Sequence, residues 1–331
     1  MPAERWKWRQ RLSAWVLGPR LASLAGERLD CVVVGGLTDL AHLRVASRLP
    51  AETRFLLYMH ENQLSYPRPS GQPLERTFAV GHVASLLSAD GVAFNSRSHR
   101  EAMREAMDRF LAEVPAPAPR GLATRISRAR VVYPGVDLDR FPEPAETRPV
   151  PAPTIVWNHR WEEDKRPSAF ARIVLRLAER GLEFRLVLLG TGTQVHPTPL
   201  HLLREKLGSR ILRDGPTESR ADYIDWLSRS DISLSTAVQE NFGYSVVEAM
   251  AAGAVPLLPD RLSYRELLTP RLARELIYDG TDAALGARLA EWVEAGGPPR
   301  ATRALAMRAA RRFDWSARVG VLDDWVEEAC S

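Results

Sequence analysis

The chain has two cysteines, three lysines and no long apolar run, and each scarcity removes a class of explanation. Cys31 and Cys330 alone cannot build a disulfide framework, so the expected setting is a reducing one and the expected location cytoplasmic. The longest apolar stretch, around AMAAGAVPLLP, is too short and too interrupted to span a bilayer, so no membrane partner is expected. The opening MPAERWKWRQRLSAW is broken by charges and tryptophans where a secretory leader would be apolar. Lysine occurs only as Lys7, Lys165 and Lys206, so the net charge of +4 is carried almost wholly by arginine. A mildly basic chain permits a polyanionic partner without requiring one, and a bias toward arginine explains the composition equally well. The rarity of lysine draws attention to Lys165.

At 331 residues and 45% apolar, the chain is long enough for two α/β domains. Short apolar runs alternate with amphipathic segments, the mark of parallel α/β layers. In the first half, strands are expected at 30–36, 53–59, 91–95 and 129–134, with helices near 38–48, 74–88 and 96–112. The segment FPEPAETRPVPAP (141–153) has five prolines and no periodicity, and it reads as a linker. Beyond it come strands at 154–158, 184–190, 210–215, 232–236 and 254–259. Helices are expected at 168–181, 200–207, 219–229 and from about 243. The expected organisation is a first Rossmann-like domain over 1–140, a linker over 141–153, a second over 154–299 and a helical tail over 300–331 that crosses back to the first. The fold class is α/β, two doubly wound domains, with ligands expected beyond the carboxyl ends of the strands.

Three stretches carry chemistry. In STAVQENFGYSVVEAMAAGAVPLLPD (235–260), a strand leads through Glu240 into a helix starting near Gly243, with Glu248 eight residues after Glu240. The backbone N–H groups of Gly243, Tyr244 and Ser245 suit an anion, and the two carboxylates suit sugar or ribose hydroxyls. Either glutamate taken alone reads as an ordinary loop or first-turn charge. In TIVWNHRWEEDKRP (154–167), Arg160 and Lys165 follow a strand, and cations there suit the charge of a diphosphate leaving group. A solvated loop balanced by Glu162, Glu163 and Asp164 is the alternative. In YMHENQLSYP (58–67), His60 and Glu61 begin like H-E-x-x-H, but the fifth position is Leu64 and the segment follows a strand, which excludes a zinc protease site. Two weaker patterns stay minor: LLGTGT (188–193) lacks a third glycine, and Asp137 and Asp139 only imitate a metal-binding D-x-D, Asp137 reading as a turn or helix-start residue.

The stretch 235–260 resembles the E-x7-E signature of retaining glycosyltransferases of the GT-B type, family 4. That resemblance implies that Glu240 lies near the transferred sugar, Glu248 binds the nucleotide ribose, and Arg160 and Lys165 hold the diphosphate. It also implies that His60 points toward the donor sugar. A narrower resemblance rests on WKWR, YMHENQLSYP, GVAFNSRSHR, NHRWEEDKRP, NFGYSVVEA and PLLPDRLSYREL, which together are similar to the tRNA-queuosine α-mannosyltransferase family.

Membership would imply GDP-mannose as donor, the queuosine nucleoside of a tRNA anticodon as acceptor, and no metal or other cofactor. Glu61, Asn62 and Gln63 become acceptor-side candidates. RWKWRQR (5–11) becomes either a phosphate-and-stacking surface or a tail packing its tryptophans on the domain. Relatives open with a further strand and a glycine-rich turn, so the first domain is expected to lack its first strand. The alternatives are a family 4 hexosyltransferase acting on a small molecule or glycan, and a non-catalytic tRNA-binding relative.

Overall fold

The computed structural model describes residues 6–24, 26–27, 29–67, 76–143, 152–190 and 198–331. The chain forms two compact units, Met1–Pro134 with Val319–Ser331, and Gly135–Arg318. Most of the proline-rich segment, 144–151, lies outside the described residues, as do Arg5 of RWKWRQR and 191–193 of LLGTGT.

The first unit is built on a parallel sheet with spatial order β1-β2-β3-β4, from β1 (Cys31–Gly35), β2 (Arg54–Met59), β3 (Gly91–Phe94) and β4 (Arg130–Val131). Helices Leu40–Ser47, Arg76–Ser88 and Arg97–Ala112 make the crossovers that parallel strands require. Their starts follow capping chemistry: Asp39 accepts from the His42 amide and Ser96 from the His99 amide. The core gathers Phe55, Leu57, Met59, Phe94, Met103 and Met107, all nearly or wholly removed from water. A second cluster joins Leu56, Ala93 and Val132 to Trp325, from the helix Trp315–Cys330. Gly91 admits that helix, since a Cβ there would stand 2.9 Å from the Ala329 Cβ. Burying an indole such as Trp325 contributes about 2–3 kcal/mol.

In the second unit the sheet runs β10-β9-β8-β5-β6-β7, and every neighbouring pair is parallel. Its strands are β5 (Thr154–Trp157), β6 (Arg185–Leu188), β7 (Ile211–Asp214), β8 (Ile232–Leu234), β9 (Val255–Pro259) and β10 (Ile277–Tyr278). β5, β8 and β9 are buried at every residue, as expected of strands covered on both faces, which is why they read as unbroken apolar runs. The chain leaves β5 toward β6 and β7, then returns to the other side of β5 for β8 to β10. The strand order therefore reverses between β5 and β8, and the crevice beyond their carboxyl ends is the ligand position of open α/β sheets.

Some elements differ from expectation. Residues 6–22, given no helix from the sequence, form the helix Trp6–Ala22. The run 129–134 is a strand only at Arg130–Val131. The helix Asp282–Glu294 carried no expectation, although Thr281 caps it by accepting from the Ala284 amide. The tail is two helices, Arg300–Ala310 and Trp315–Cys330, separated by a 3-10 turn. Among the described residues no helix is long and apolar enough to cross a membrane.

Candidate active site

The loops after β5 and β8 meet beyond the switch point. The loop from β5 runs through Asn158, His159, Arg160 and Trp161 to the 3-10 turn Glu163–Lys165 and the helix Pro167–Glu179. It is tied to the β8 loop along its length: the Val238 amide donates to the Asp164 carbonyl at 2.8 Å, and the Thr236 hydroxyl to the Lys165 carbonyl at 2.6 Å. Gly190 lets the loop approach β6, because a Cβ there would stand 2.4 Å from the His159 carbonyl and from the Trp161 indole nitrogen. The Trp161 indole N–H donates to the Gly190 carbonyl at 3.1 Å.

Lys165 and Glu240, singled out separately in the sequence, form one charged cluster. The Lys165 ammonium donates to the Gln239 carbonyl at 2.6 Å and to Glu240 Oε2 at 3.2 Å, and lies 3.1 Å from Asp164 Oδ2. Lys165 is 7% exposed. Two hydrogen bonds, to the Gln239 carbonyl and to Glu240, hold this nearly buried ammonium, and the Asp164 carboxylate, close by but not hydrogen-bonded to it, adds a second negative neighbour. The cluster fixes the Glu240 carboxylate at the mouth of the next helix, with Oε1 3.5 Å from the Phe242 amide. Arg160 is about half exposed, 3.7 Å from Asp164 Oδ2. Its side chain can reach outward, whereas that of Lys165 is committed within the protein.

The helix Tyr244–Ala252 begins at Gly243, whose φ of 107° lies in the left-handed region, and no side chain caps it. Its first N–H groups, at the positions expected to hold an anion, therefore lack the side-chain acceptor that Ser219, Thr269 and Thr281 provide elsewhere. Ser245 is bound to the preceding loop on two sides. Its carbonyl accepts from Asn158 Nδ2 at 2.8 Å, and its hydroxyl lies 3.0 Å from His159 Nδ1. His159 Nε2 lies 3.1 Å from the Leu234 carbonyl, which can only accept, so Nε2 carries the proton and the Ser245 hydroxyl donates to Nδ1. Burial first, and then the charge of Lys165, push the His159 pKa down to about 3, so this ring is neutral. Tyr244 is half exposed, edge-on to Phe242 at 5.1 Å between centroids.

Both oxygens of Glu248 are held. Oε1 lies 2.7 Å from Arg220 Nη1, and Oε2 accepts the Tyr223 hydroxyl at 2.8 Å. Asn158 Nδ2 donates to the same hydroxyl at 3.2 Å, linking the Glu248 group to the β5 loop. Burial, followed by the charge of Glu248, raises the Tyr223 pKa, so Tyr223 is a fixed donor. Asn158, Arg220 and Tyr223 were not singled out from the sequence. Arg220 and Tyr223 open the helix Arg220–Ser228, and no local pattern sets them apart from surface residues.

In the first unit, His60 stands exposed at the end of β2, with its ring over Gly35, where a Cβ would come 2.9 Å from His60 Cε1. Beneath it is a buried support from GVAFNSRSHR: Asn95 Nδ2 donates to the His60 carbonyl at 3.0 Å, and Asn95 Oδ1 lies 2.7 Å from His99 Nδ1. Glu61 and Gln63 are half-buried and joined at 3.3 Å. Asn62, expected on the acceptor side, is instead fully buried, and its Oδ1 accepts the Ser65 amide at 2.9 Å. Its Oδ1 thereby shapes the turn, while its buried Nδ2 has no hydrogen-bond partner among the described residues. Among the described residues no group of three or more His, Cys, Asp or Glu is arranged to hold a metal ion.

Residues 142–311 match the glycosyl transferases group 1 family, and residues 1–136 match the tRNA-queuosine alpha-mannosyltransferase N-terminal family. Solved structures that share the fold include a sucrose-phosphate synthase from Thermosynechococcus elongatus, with TM-score 0.69 and 16% identity, covering 99% of this chain and 80% of that one. HepE of Anabaena in complex with UDP and glucose has TM-score 0.65 and 18% identity, with 95% and 83% covered. Two parallel-sheet α/β units and a charged site at the switch point thus define the class: a glycosyltransferase of group 1 with the GT-B fold.

A tRNA-queuosine alpha-mannosyltransferase of Drosophila melanogaster is 30% identical over 292 residues, 86% of this chain and 76% of the relative. The chain belongs to the tRNA-queuosine alpha-mannosyltransferase family. A GDP-mannose:cellobiosyl-diphosphopolyprenol alpha-mannosyltransferase of Xanthomonas campestris is 25% identical over 199 residues, 59% of this chain and 51% of the relative.

Proposed function

We propose that the protein transfers mannose from GDP-mannose to the queuosine nucleoside of a tRNA anticodon, with retention of configuration and without a metal. Breaking the bond between the sugar and the diphosphate leaves negative charge on the departing phosphate oxygen, and that charge must be met. The observation that carries the reading is the buried Lys165–Glu240–Asp164 cluster at the switch point, next to the uncapped helix start at Gly243. Arg160 and the amides of Gly243, Tyr244 and Ser245 face the diphosphate, and the Lys165 ammonium offsets the charge of Asp164 and Glu240, which would otherwise repel it. Glu248, oriented by Arg220 and Tyr223, accepts from the ribose hydroxyls. Glu240 orients mannose hydroxyls, and His60 keeps the sugar contact that the family resemblance implies. The exposed end of β2 at His60, Glu61 and Gln63 is assigned to the acceptor.

The donor reading is supported by the mannosyl transfer named for the Drosophila relative and by the GDP-mannose named for the Xanthomonas one. Incubating the protein with radiolabelled GDP-mannose and either queuosine-containing or queuosine-free tRNA tests it. Label is expected only in the queuosine-containing tRNA. Equal labelling of both, or of neither, would overturn the acceptor assignment, and labelling of neither would leave a small-molecule or glycan acceptor or a non-catalytic relative. Glu240→Ala should abolish transfer and leave tRNA binding nearly intact.

A further inference from the structure

A pocket of about 320 Å³ lies within the first unit, between the helix Trp6–Ala22, the turn after β1 and the helix Arg76–Ser88. Trp8, Arg11 and Trp15 are spaced three and four apart and so share one helix face. They line the pocket, yet the indoles are 55% and 70% exposed. Two tryptophans left largely in water on the rim of one pocket are an unusual surface for a folded chain. The Arg11 guanidinium stands 5.4 Å from the Phe78 ring centroid and 6.0 Å from that of Trp8, so a planar cation already lies against aromatic faces here. The polar lining includes Asp39, whose Oδ1 accepts the His42 amide at 3.0 Å and whose Oδ2 lies 2.9 Å from His42 Nδ1.

We propose that this pocket is a stacking subsite for one unpaired nucleobase of a single-stranded RNA segment. The proposal rests on the reading of the protein as a tRNA-modifying transferase. Indole faces and a guanidinium plane are the surfaces on which unstacked bases lie, and they tolerate any base because every base has a π-face. The Asp39 carboxylate accepts from an exocyclic amine or ring N–H on the base edge, the only kind of contact an acceptor-only group can make. An aliphatic chain or an apolar peptide would instead desolvate the Asp39–His42 pair and give nothing back. At about 320 Å³ the pocket stands at the small end of ligand sites, room for one nucleoside and no more. Positive charge for the flanking phosphates is at hand in sequence, with Arg5, Lys7, Arg9 and Arg11 inside seven residues.

The test uses the full chain, a fluorescein-labelled anticodon stem-loop RNA and free GMP, with binding followed by anisotropy and by competition. Trp15→Ala and Trp8→Ala should each weaken RNA binding roughly ten- to a hundred-fold, while Trp15→Phe, which keeps a ring, should retain most of it. Both indoles are exposed, so these truncations remove no core contact. If wild type labels tRNA but Trp15→Ala and Trp8→Ala bind the stem-loop as wild type does, the subsite is overturned and the proposed function stands. Free GMP that competes as well as the RNA while saturating GDP fills the proposed donor site would make the pocket a nucleotide site and overturn the RNA assignment. A wild-type chain that neither binds the stem-loop nor labels tRNA would overturn the subsite and the acceptor reading together.

Discussion

Replacing Lys165 by methionine separates a structural role of the charged cluster from an electrostatic one. At 3.1 and 3.2 Å from two carboxylate oxygens, and with an effective dielectric constant of about 20, the ammonium gains about 5 kcal/mol of Coulomb attraction from each. Desolvation of three nearly buried charges offsets most of this, so the intact cluster contributes little net stability. Losing the cation alone is different, because Asp164 and Glu240 would be left facing each other, with side chains 9% and 18% exposed. The expected destabilisation of Lys165→Met is about 3–5 kcal/mol. Adding Glu240→Gln removes one of the stranded charges and should recover about 1–3 kcal/mol, a coupling that two independent sites would not show. Urea unfolding followed by circular dichroism, with the summed fluorescence of the nine tryptophans as a second probe, measures both values. A Lys165→Met midpoint equal to wild type, or strict additivity in the double variant, would refute the cluster as described.

Tyr223→Phe deletes the donor to Glu248 Oε2 but keeps the ring, so GDP binding should weaken roughly ten-fold with the fold unchanged; an unaltered Kd by titration calorimetry would detach Glu248 from the ribose. Burial pushes His82 down to about 4, and His99 and His159 down to about 3, so each is neutral when folded and takes its proton near pH 6.5 when unfolded. Their contribution is complete above about pH 6.5 and is lost toward pH 4 to 3, by about 1.4 kcal/mol per pH unit for each histidine. Melting temperatures that stay flat between pH 6.5 and 5 would contradict this, and His99→Gln should reduce the first unit's share, leaving that of His82.

The sheets were readable because their strands obey simple rules. CVVVG, RFLLYM and TIVW are apolar runs between turn signals, and the helix after CVVVG carries a cap while the helix after TIVW has amphipathic spacing. What escaped was held by tertiary context. The sequence of the helix Trp6–Ala22 intersperses charges with tryptophans and has an internal Pro19, so it shows no apolar stripe, and the helix packs against the helix Leu40–Ser47. β10 and β4 have two residues each, too few for any alternation to register.

The site divides along the same line. Glu240, Glu248, Arg160, Lys165 and the helix start at Gly243 stood out because each follows a strand in a local pattern. The contacts that give them chemistry span long intervals: Lys165 reaches Glu240 across 75 residues, and Asn158 reaches Ser245 across 87. Only the strand order brings these loops together, since β8 returns to the side of β5 opposite β6. A spacing rule counts along the chain and cannot see that return. The stretch HENQ shows the same effect in reverse. Four polar residues in a row look equivalent in sequence, yet the turn exposes His60, half-buries Glu61 and Gln63, and spends Asn62 on its own backbone. Chemistry at such a strand end is therefore set by the turn that the polar residues must build first.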